Sequence, residues 1–270
     1  MTGPVEILAT AVMARRRRSR RFSLLFQAGI AALVLWSLEA IVIGDTDWSR
    51  ITLASVGRAL GRFAEFDWRL MPDLLEPALE TVLMATLATL LGLLLAIPVA
   101  WLGAANISPV GRVTYVLGRG LMTLSRSIHE MVWGLVFVAA VGLGALAGIL
   151  AMSLRSIGFI SKMVAEAIED VDTGPIEAMR AAGGNRFQVL LYAIVPQVLP
   201  VVLGSIIFEW DVNVRRSTIM GLVGAGGLGL ALHRQIVSYN YGGIVAVILI
   251  ILGIILIGEV ASNRARQAVL

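Results

Sequence analysis

Residues 177–200 read EAMRAAGGNRFQVLLYAIVPQVLP. The run Glu177-Ala178-Met179-Arg180-Ala181-Ala182 is built from strong helix formers. It halts at Gly183-Gly184 and restarts as an apolar helix that meets Pro196 and Pro200. Hydrophobic segments long enough to cross a bilayer lie on both sides of it. A polar helix-turn-helix lodged among membrane spans must sit on one side of the membrane and have something there to touch.

Composition sets the class. Hydrophobic residues make up 58% of the 270 and charged ones 15%, and the mean hydropathy is +0.86. A soluble protein of this length cannot keep so little charge on its surface. Several runs lack charge over about 20 residues, the length of a spanning helix. They are continuous and not alternating, which excludes a strand barrel. The chain is expected to be an all-α integral membrane protein. It has no cysteine, so disulfides, thiolate metal sites and a cysteine nucleophile are excluded. The net charge of +4 rests on arginine, and topology accounts for it better than a nucleic-acid surface does.

Taken in order, residues 1–21 are a basic arm whose six arginines, Arg15 to Arg21, hold it in the cytoplasm and meet anionic lipid. No small-residue cleavage site follows, so the first span, about Phe22–Gly44, is expected to be retained. Glu39 falls near its outer end, where a carboxylate avoids the roughly 3 kcal/mol cost of the bilayer centre. Residues 45–76, with Trp48 and Trp68, read as an external segment with a short interfacial helix. Span 2 is expected from about Pro77 to Ala104, kinked at Pro98.

Residues 105–127 carry Arg112, Arg119 and Arg126 with no acid and read as a cytoplasmic loop. The uncharged run Met131–Leu154 is either one span or two that turn at Gly142-Leu143-Gly144. Two spans put six Lys/Arg of residues 1–21, three of 105–127, four of 155–189 and two of 263–270 inside, fifteen in all against seven outside. One span gives twelve against ten. The positive-inside rule favours two, about Ile128–Val141 and Leu143–Val164, and six spans in total. Span 5 follows at about Leu190–Phe208, then a second external segment over 209–242, then span 6 at about Gly243–Gly258. Both termini are expected in the cytoplasm. The spans form one domain, a helical core over residues 77–265 carrying the polar loop at 175–200; 1–21 and 22–76 precede it.

Three other features invite chemistry. Gly224-Ala225-Gly226-Gly227-Leu228-Gly229 matches GxGxxG in form. No strand precedes it, no acid follows at the ribose-binding distance, and the Lys-Ser/Thr ending of a P-loop is missing. It reads as close-packed backbone at a bend or helix interface. His129-Glu130 lacks the second histidine of HExxH, because position 133 is Trp133; no metal site is expected. Arg126, His129 and Glu130 either line a polar pathway or form an internal Arg126–Glu130 pair at i,i+4. Asp211, Asn213, Arg215 and Arg216 are either surface charges past a membrane end or an anion-handling patch at the external mouth, where guanidinium groups grip phosphate-like oxygens in pairs.

The 177–200 stretch resembles the EAA loop of ABC importer permeases: EAA, three residues, Gly, nine residues, Ile-x-Leu-Pro. Glu177, Ala178 and Gly183 match, Met179 replaces the third Ala, and Ala193-Ile194-Val195-Pro196 stands for the closing motif. The segments Arg126–Trp133, Val195–Pro200 and Trp210–Arg216 through Gly221–Gly229 resemble the phosphonate ABC transporter permease, whose usual Trp-Glu-x-Asn-x-Arg has Asp211 in place of Glu here. The likeness covers roughly residues 70–265.

The resemblance implies a type I (MetI-like) importer fold and a non-catalytic permease subunit in the inner membrane. Its partners would be a second permease subunit (identical or paralogous), two ATP-binding subunits that hold the ATP and Mg, and an extracytoplasmic substrate-binding protein. No cofactor is then expected in this chain and no nucleic-acid partner. Glu177, Ala178, Arg180, Gly183 and Arg186 would form the coupling helix against the ATPase. Arg126, His129, Glu130, Asp211, Asn213, Arg215 and Arg216 are candidates for the substrate pathway. Other small solutes, such as methionine, remain an alternative within the fold. A passive channel or secondary carrier is an alternative outside it.

Overall fold

A computed structural model describes residues 22–44 and 52–269. The basic arm 1–21 and Trp48 lie outside the described residues. The chain divides into two compact units between Gly61 and Arg62. The first holds α1, Phe22–Ile43, whose final residues Leu38–Ile43 are wound as π-helix. No residue of α1 is buried. The amphipathic α2, Leu53–Phe63, begins in the first unit and ends two residues into the second.

The second unit is a helical bundle of α3 (Leu75–Gly103), α4 (Arg112–Ser127), α5 (Glu130–Val141), α6 (Ala145–Glu169), α7 (Thr173–Ala181), α8 (Arg186–Val189), α9 (Val195–Met220), α10 (Gly227–Val237) and α11 (Tyr241–Val269). A π-segment, Leu190–Ile194, joins α8 to α9. Pro98 is accommodated inside α3 and Pro200 inside α9.

At the centre, α3 packs along α6 through small residues. Ala85, Ala88, Gly92, Ala96 and Ala100 of α3 and Ala147, Gly148, Ala151 and Ser156 of α6 are all buried. A side chain on Gly92 would strike Ser156, and one on Gly148 would strike Met84. Lipid tails are as apolar as the side chains, so association here rests on close backbone approach and not on a hydrophobic drive.

The contact order fixes direction. Met84 lies at Gly148, Gly92 at Ser156, and Ala96, Ala100 and Ala104 cluster with Ile160, Val164 and Ala165. Helices α3 and α6 therefore run parallel, and the chain between them must return across the bundle. It does so as α4 and α5, bent by 88° at their junction. At one end Arg119 of α4 donates to the Gly103 carbonyl at 3.0 Å and pairs with Glu169 at 2.6 Å. At the other, the Gly144 N–H donates to the Gly224 carbonyl at 3.0 Å. Among the described residues, six helical passes are long and apolar enough to span a bilayer when α1 is included and this bent pair is counted as one.

Two sequence expectations are corrected. Residues 105–127 are not a polar loop: α4 climbs the bundle, burying Gly118, Met122 and Ser125 while its arginines lie along another face. The third pass thus begins at Arg112, sixteen residues earlier than expected. Nor do residues 209–242 begin outside the bundle. Helix α9 continues without interruption to Met220, and α10 folds back so that Leu228 is buried among Leu74, Ala246 and Val247. The expected break at Gly142-Leu143-Gly144 is present, with Gly142 at φ 91° and Gly144 at φ 139°, a region open to glycine at little cost.

The glycine run is close-packed backbone, as its pattern implies. A side chain on Gly221 would strike Leu230 and Gly229, and one on Gly229 would strike the Thr218 carbonyl. The free N–H groups that open α10 are met from α3: Gly227 donates to Glu80 at 2.9 Å and Leu228 to Thr81 at 2.8 Å. That satisfies the orphan donors of a helix start in a dry setting.

Candidate functional site

Two sites emerge, at different levels of the bundle. The first is α7, the helical half of the stretch quoted at the outset. Asp172 caps it, accepting from the Gly174 N–H at 2.9 Å. It closes in a Schellman turn: Gly184 donates to the Met179 carbonyl at 3.0 Å, Gly183 donates to the Arg180 carbonyl at 3.0 Å, and Gly183 sits at φ 84°. A new helix starts one residue later through a reciprocal cap, with Asn185 N–H to Gln188 at 2.8 Å and Gln188 N–H to Asn185 at 2.9 Å.

Only Ile176 and Met179 of α7 face inward, onto Val189, Ala193, Ile194 and Val198. Glu177, Ala178, Arg180 and Gly183 are exposed; the Arg186 side chain lies outside the described residues. Nine residues of helix with no buried member are an unusual surface to maintain beside a membrane, unless another protein covers them.

The second site lies at mid-depth. Asn213 donates to Thr89 at 3.0 Å and to Ser156 at 2.9 Å. Thr89 and Ser156 are each near the middle of their helices, α3 and α6. Glu209, fully buried, accepts from Ser156 at 2.8 Å and from Arg216 at 2.7 Å. Arg216 also reaches Asn213 at 3.2 Å and Glu130 at 3.3 Å. Glu130, the first residue of α5, lies 3.8 Å from Arg155 of α6 and 3.9 Å from His129. Arg155 in turn donates to the Arg126 carbonyl. The cluster thus gathers around the 88° break between α4 and α5. It ties five helices together, α3, α4, α5, α6 and α9, with two carboxylates against two guanidinium groups. Desolvation makes such charges expensive unless paired, and here they are paired.

The candidates from sequence divide accordingly. Glu130, Asn213 and Arg216 meet in the cluster, with His129 at its edge. Arg126 contributes its carbonyl, and its side chain is exposed. Of the two readings of Arg126 and Glu130, the internal ion pair is not made, because the bend between the two residues destroys i,i+4 spacing; Glu130 turns to Arg155 and Arg216. Asp211 and Arg215 occupy the other face of α9, pairing with each other at 2.9 Å, with Glu259 of α11 3.9 Å from Arg215. The external mouth is therefore not where these four residues gather. Glu209, Thr89, Arg155 and Ser156 were not singled out from sequence. The spacing Glu209–Asn213–Arg216, one helical face at i, i+4 and i+7, was the available signal. Among the described residues, no group of acids and histidines has the arrangement of a metal site.

Residues 88–268 match the family described as binding-protein-dependent transport system inner membrane component. The chain belongs to this family. Relatives of this permease carry names that point to phosphorus oxyanions. It is 38% identical over 239 residues to the phosphite transport system permease protein PtxC of Stutzerimonas stutzeri, covering 88% of this chain and 86% of that one. It is 40% identical over 195 residues to the phosphate-import permease protein PhnE of Mycolicibacterium smegmatis, covering 72% of this permease but only 36% of that longer protein. Among solved structures it resembles the permease of the MetNI methionine ABC transporter in an inward-facing conformation. The TM-score is 0.65 with 25% identity, over 76% of this chain and all of the other. The MetI-like fold and the multi-pass membrane character expected from sequence both hold.

Proposed function

We propose that this permease is the membrane subunit of an ATP-driven importer for a phosphorus oxyanion of the phosphonate, phosphite or phosphate class. The observation that carries the reading is the pairing of close likeness to a phosphite permease with two arginines held at mid-depth beside a break in the third pass. A guanidinium group matches the planar, bidentate geometry of such anions. The methionine alternative rests on the shared fold and on more distant sequence likeness.

On this reading two permease subunits, identical or paralogous, enclose the pathway. Two ATP-binding subunits sit on α7 and its counterpart and hold the ATP and Mg. The substrate-binding protein docks at the opposite end, and both termini lie with α7 in the cytoplasm. Glu177, Ala178, Arg180, Gly183 and Arg186 contact the ATPase. The chain performs no bond-making chemistry. Its task is to bias two arrangements of the bundle, and the energy for that comes from docking that differs between nucleotide states. Along the pathway Arg216 and Arg155 offer donors, Glu130 and Glu209 hold those donors when no anion is there, and Asn213 and His129 flank them.

Uptake of phosphite and methylphosphonate by cells carrying the complete transporter tests the reading. ATP-dependent accumulation of at least one of them is expected. An assembled transporter that accumulates methionine and neither anion would refute it.

A further inference from the structure

The helical backbone that leads from α8 into α9 is irregular. In Leu190–Ile194 the ladder slips to i→i−5, as in the Val195 N–H that donates to the Leu190 carbonyl. Pro196 then supplies no N–H at all, and Pro200 none one turn later. A push delivered by α7 through α8 would be absorbed here, because π-turns and prolines are where helices bend.

One side chain spans this irregular stretch. Gln197 lies beyond the π-segment and Pro196, yet it accepts from the Asp172 N–H at 2.9 Å and donates to the Asp172 carbonyl at 3.3 Å. The same amide donates to the Ala193 carbonyl, inside the π-segment, at 2.7 Å. Asp172 is the N-cap of α7 and sits three residues after the end of α6. The two-point grip on one residue's backbone fixes orientation as well as distance. One amide thereby joins the end of α6, the start of α7 and the base of α9, and it clips the irregular turn it bypasses. The apolar contacts of Ile176 and Met179 hold α7 against the same surface, but they can slide, and a paired amide cannot.

We infer that Gln197 is a positioning residue, a strut that carries displacement of α7 past the π-segment into the upper half of α9, where Glu209, Asn213 and Arg216 lie. The inference rests on the reading of α7 as the surface docked by the ATPase.

The test compares Gln197→Ala with Gln188→Ala in the complete purified transporter. Gln188 makes two hydrogen-bonding contributions in the neighbouring capping box, but within a single turn of chain. Three readings are taken: retention of the ATPase subunit on the permease, basal ATP hydrolysis, and uptake per ATP hydrolysed. Gln197→Ala should retain the ATPase and hydrolyse ATP while uptake per ATP falls at least fivefold; Gln188→Ala should leave that ratio near wild type. Gln197→Glu keeps the acceptor for the Asp172 N–H but sets a carboxylate against two carbonyls, and should uncouple as strongly. Equal ratios in Gln197→Ala and wild type, with the ATPase retained, overturn the strut alone. Equal losses in the Gln197 and Gln188 variants overturn it in favour of ordinary structural loosening. An ATPase that does not stay on the wild-type permease overturns the reading of α7 and the strut with it.

Discussion

Arg216 is the residue on which the mid-depth cluster depends. Among the described residues it alone touches both carboxylates, Glu209 and Glu130. Removing it would leave Glu209 buried with a single hydrogen bond, from Ser156, and with its Oε2 atom still unpartnered. Breaking a buried pair from one side costs on the order of 3–5 kcal/mol, because the remaining charge is uncompensated. Arg216→Ala is therefore expected to lower the melting temperature of the purified permease markedly and to abolish uptake. Glu209→Ala in the same background should recover much of the melting temperature but not uptake, since both charges are then gone. Full uptake by Arg216→Ala would place the pathway elsewhere. Arg215→Ala is the contrasting case. Its side chain is 41% exposed and its ion pairs with Asp211 and Glu259 face away from the cluster. Its partner Asp211 is only 7% exposed, so removing Arg215 leaves a buried carboxylate without its cation and should also lower stability, while uptake should fall far less than in Arg216→Ala. The difference between adjacent arginines was not legible in the sequence. Five of the eight residues from Glu209 to Arg216 are polar or charged, which reads as a segment outside the membrane. Glu209, Asn213 and Arg216 are inside because their partners Glu130, Ser156 and Thr89 arrive from other helices, more than fifty positions away, where no window of local hydropathy reaches.

At the scale of the element, α7 was the most legible part of the molecule. Its stop at Gly183-Gly184 is a local matter: the Schellman turn needs a left-handed residue, and glycine adopts that conformation without the 1–2 kcal/mol cost of a side chain. The restart at Asn185 with Gln188 three residues on is equally local. Each predicts a specific loss. Gly183→Asp adds both backbone strain and a carboxylate to an exposed helix end; no atom lies within 4 Å of where its Cβ would sit. Membrane insertion should thus be unaffected, while substrate-stimulated ATP hydrolysis should be lost. Gly183→Ala shares the strain without the charge and should retain part of it. Normal stimulation in Gly183→Asp would remove α7 from the coupling surface. Asp172→Ala deletes the cap, costing about 0.5–2 kcal/mol of helix stability, and should raise amide exchange in Thr173–Ala181 above that of α9. What the sequence hid at this scale is α4. Its three arginines at seven-residue spacing made residues 105–127 look like a loop, although that same spacing leaves another helical face free for Gly118, Met122 and Ser125 to bury. The bend at Ile128–His129 was hidden for the related reason that His129 caps α5 with its own side chain, accepting from Met131 at 3.2 Å. Neither histidine nor the residues around it are the usual breakers.

For the whole molecule, the parallel run of α3 and α6 decides how many times the chain crosses. Charge counting alone favoured six passes by placing more arginine on one side, but it assigned α4 to the wrong compartment and reached the right number through the glycine break at 142–144. The bundle gives an independent reason: Met84 at Gly148 and Ala100 near Ile160 cannot both be true unless the chain between α3 and α6 returns to the end it left. Had α4 and α5 formed a re-entrant loop, α6 would run antiparallel to α3, and α7 would emerge on the face opposite the Ala104–Gly111 turn. The structure instead brings them together, with Ala105 donating to Glu169 at 2.7 Å and Asn106 to the Ile168 carbonyl at 2.6 Å. Because the chain has no cysteine, this can be read directly. Single cysteines at Ser108, Ala182 and Asn263 should all be labelled by an impermeant thiol reagent from the same side of sealed vesicles. A cysteine at Tyr239, in the exposed turn before α11, should be labelled from the other. Labelling of Ser108→Cys and Ala182→Cys from opposite sides would mean five passes and would detach α7 from the compartment where a partner ATPase could meet it.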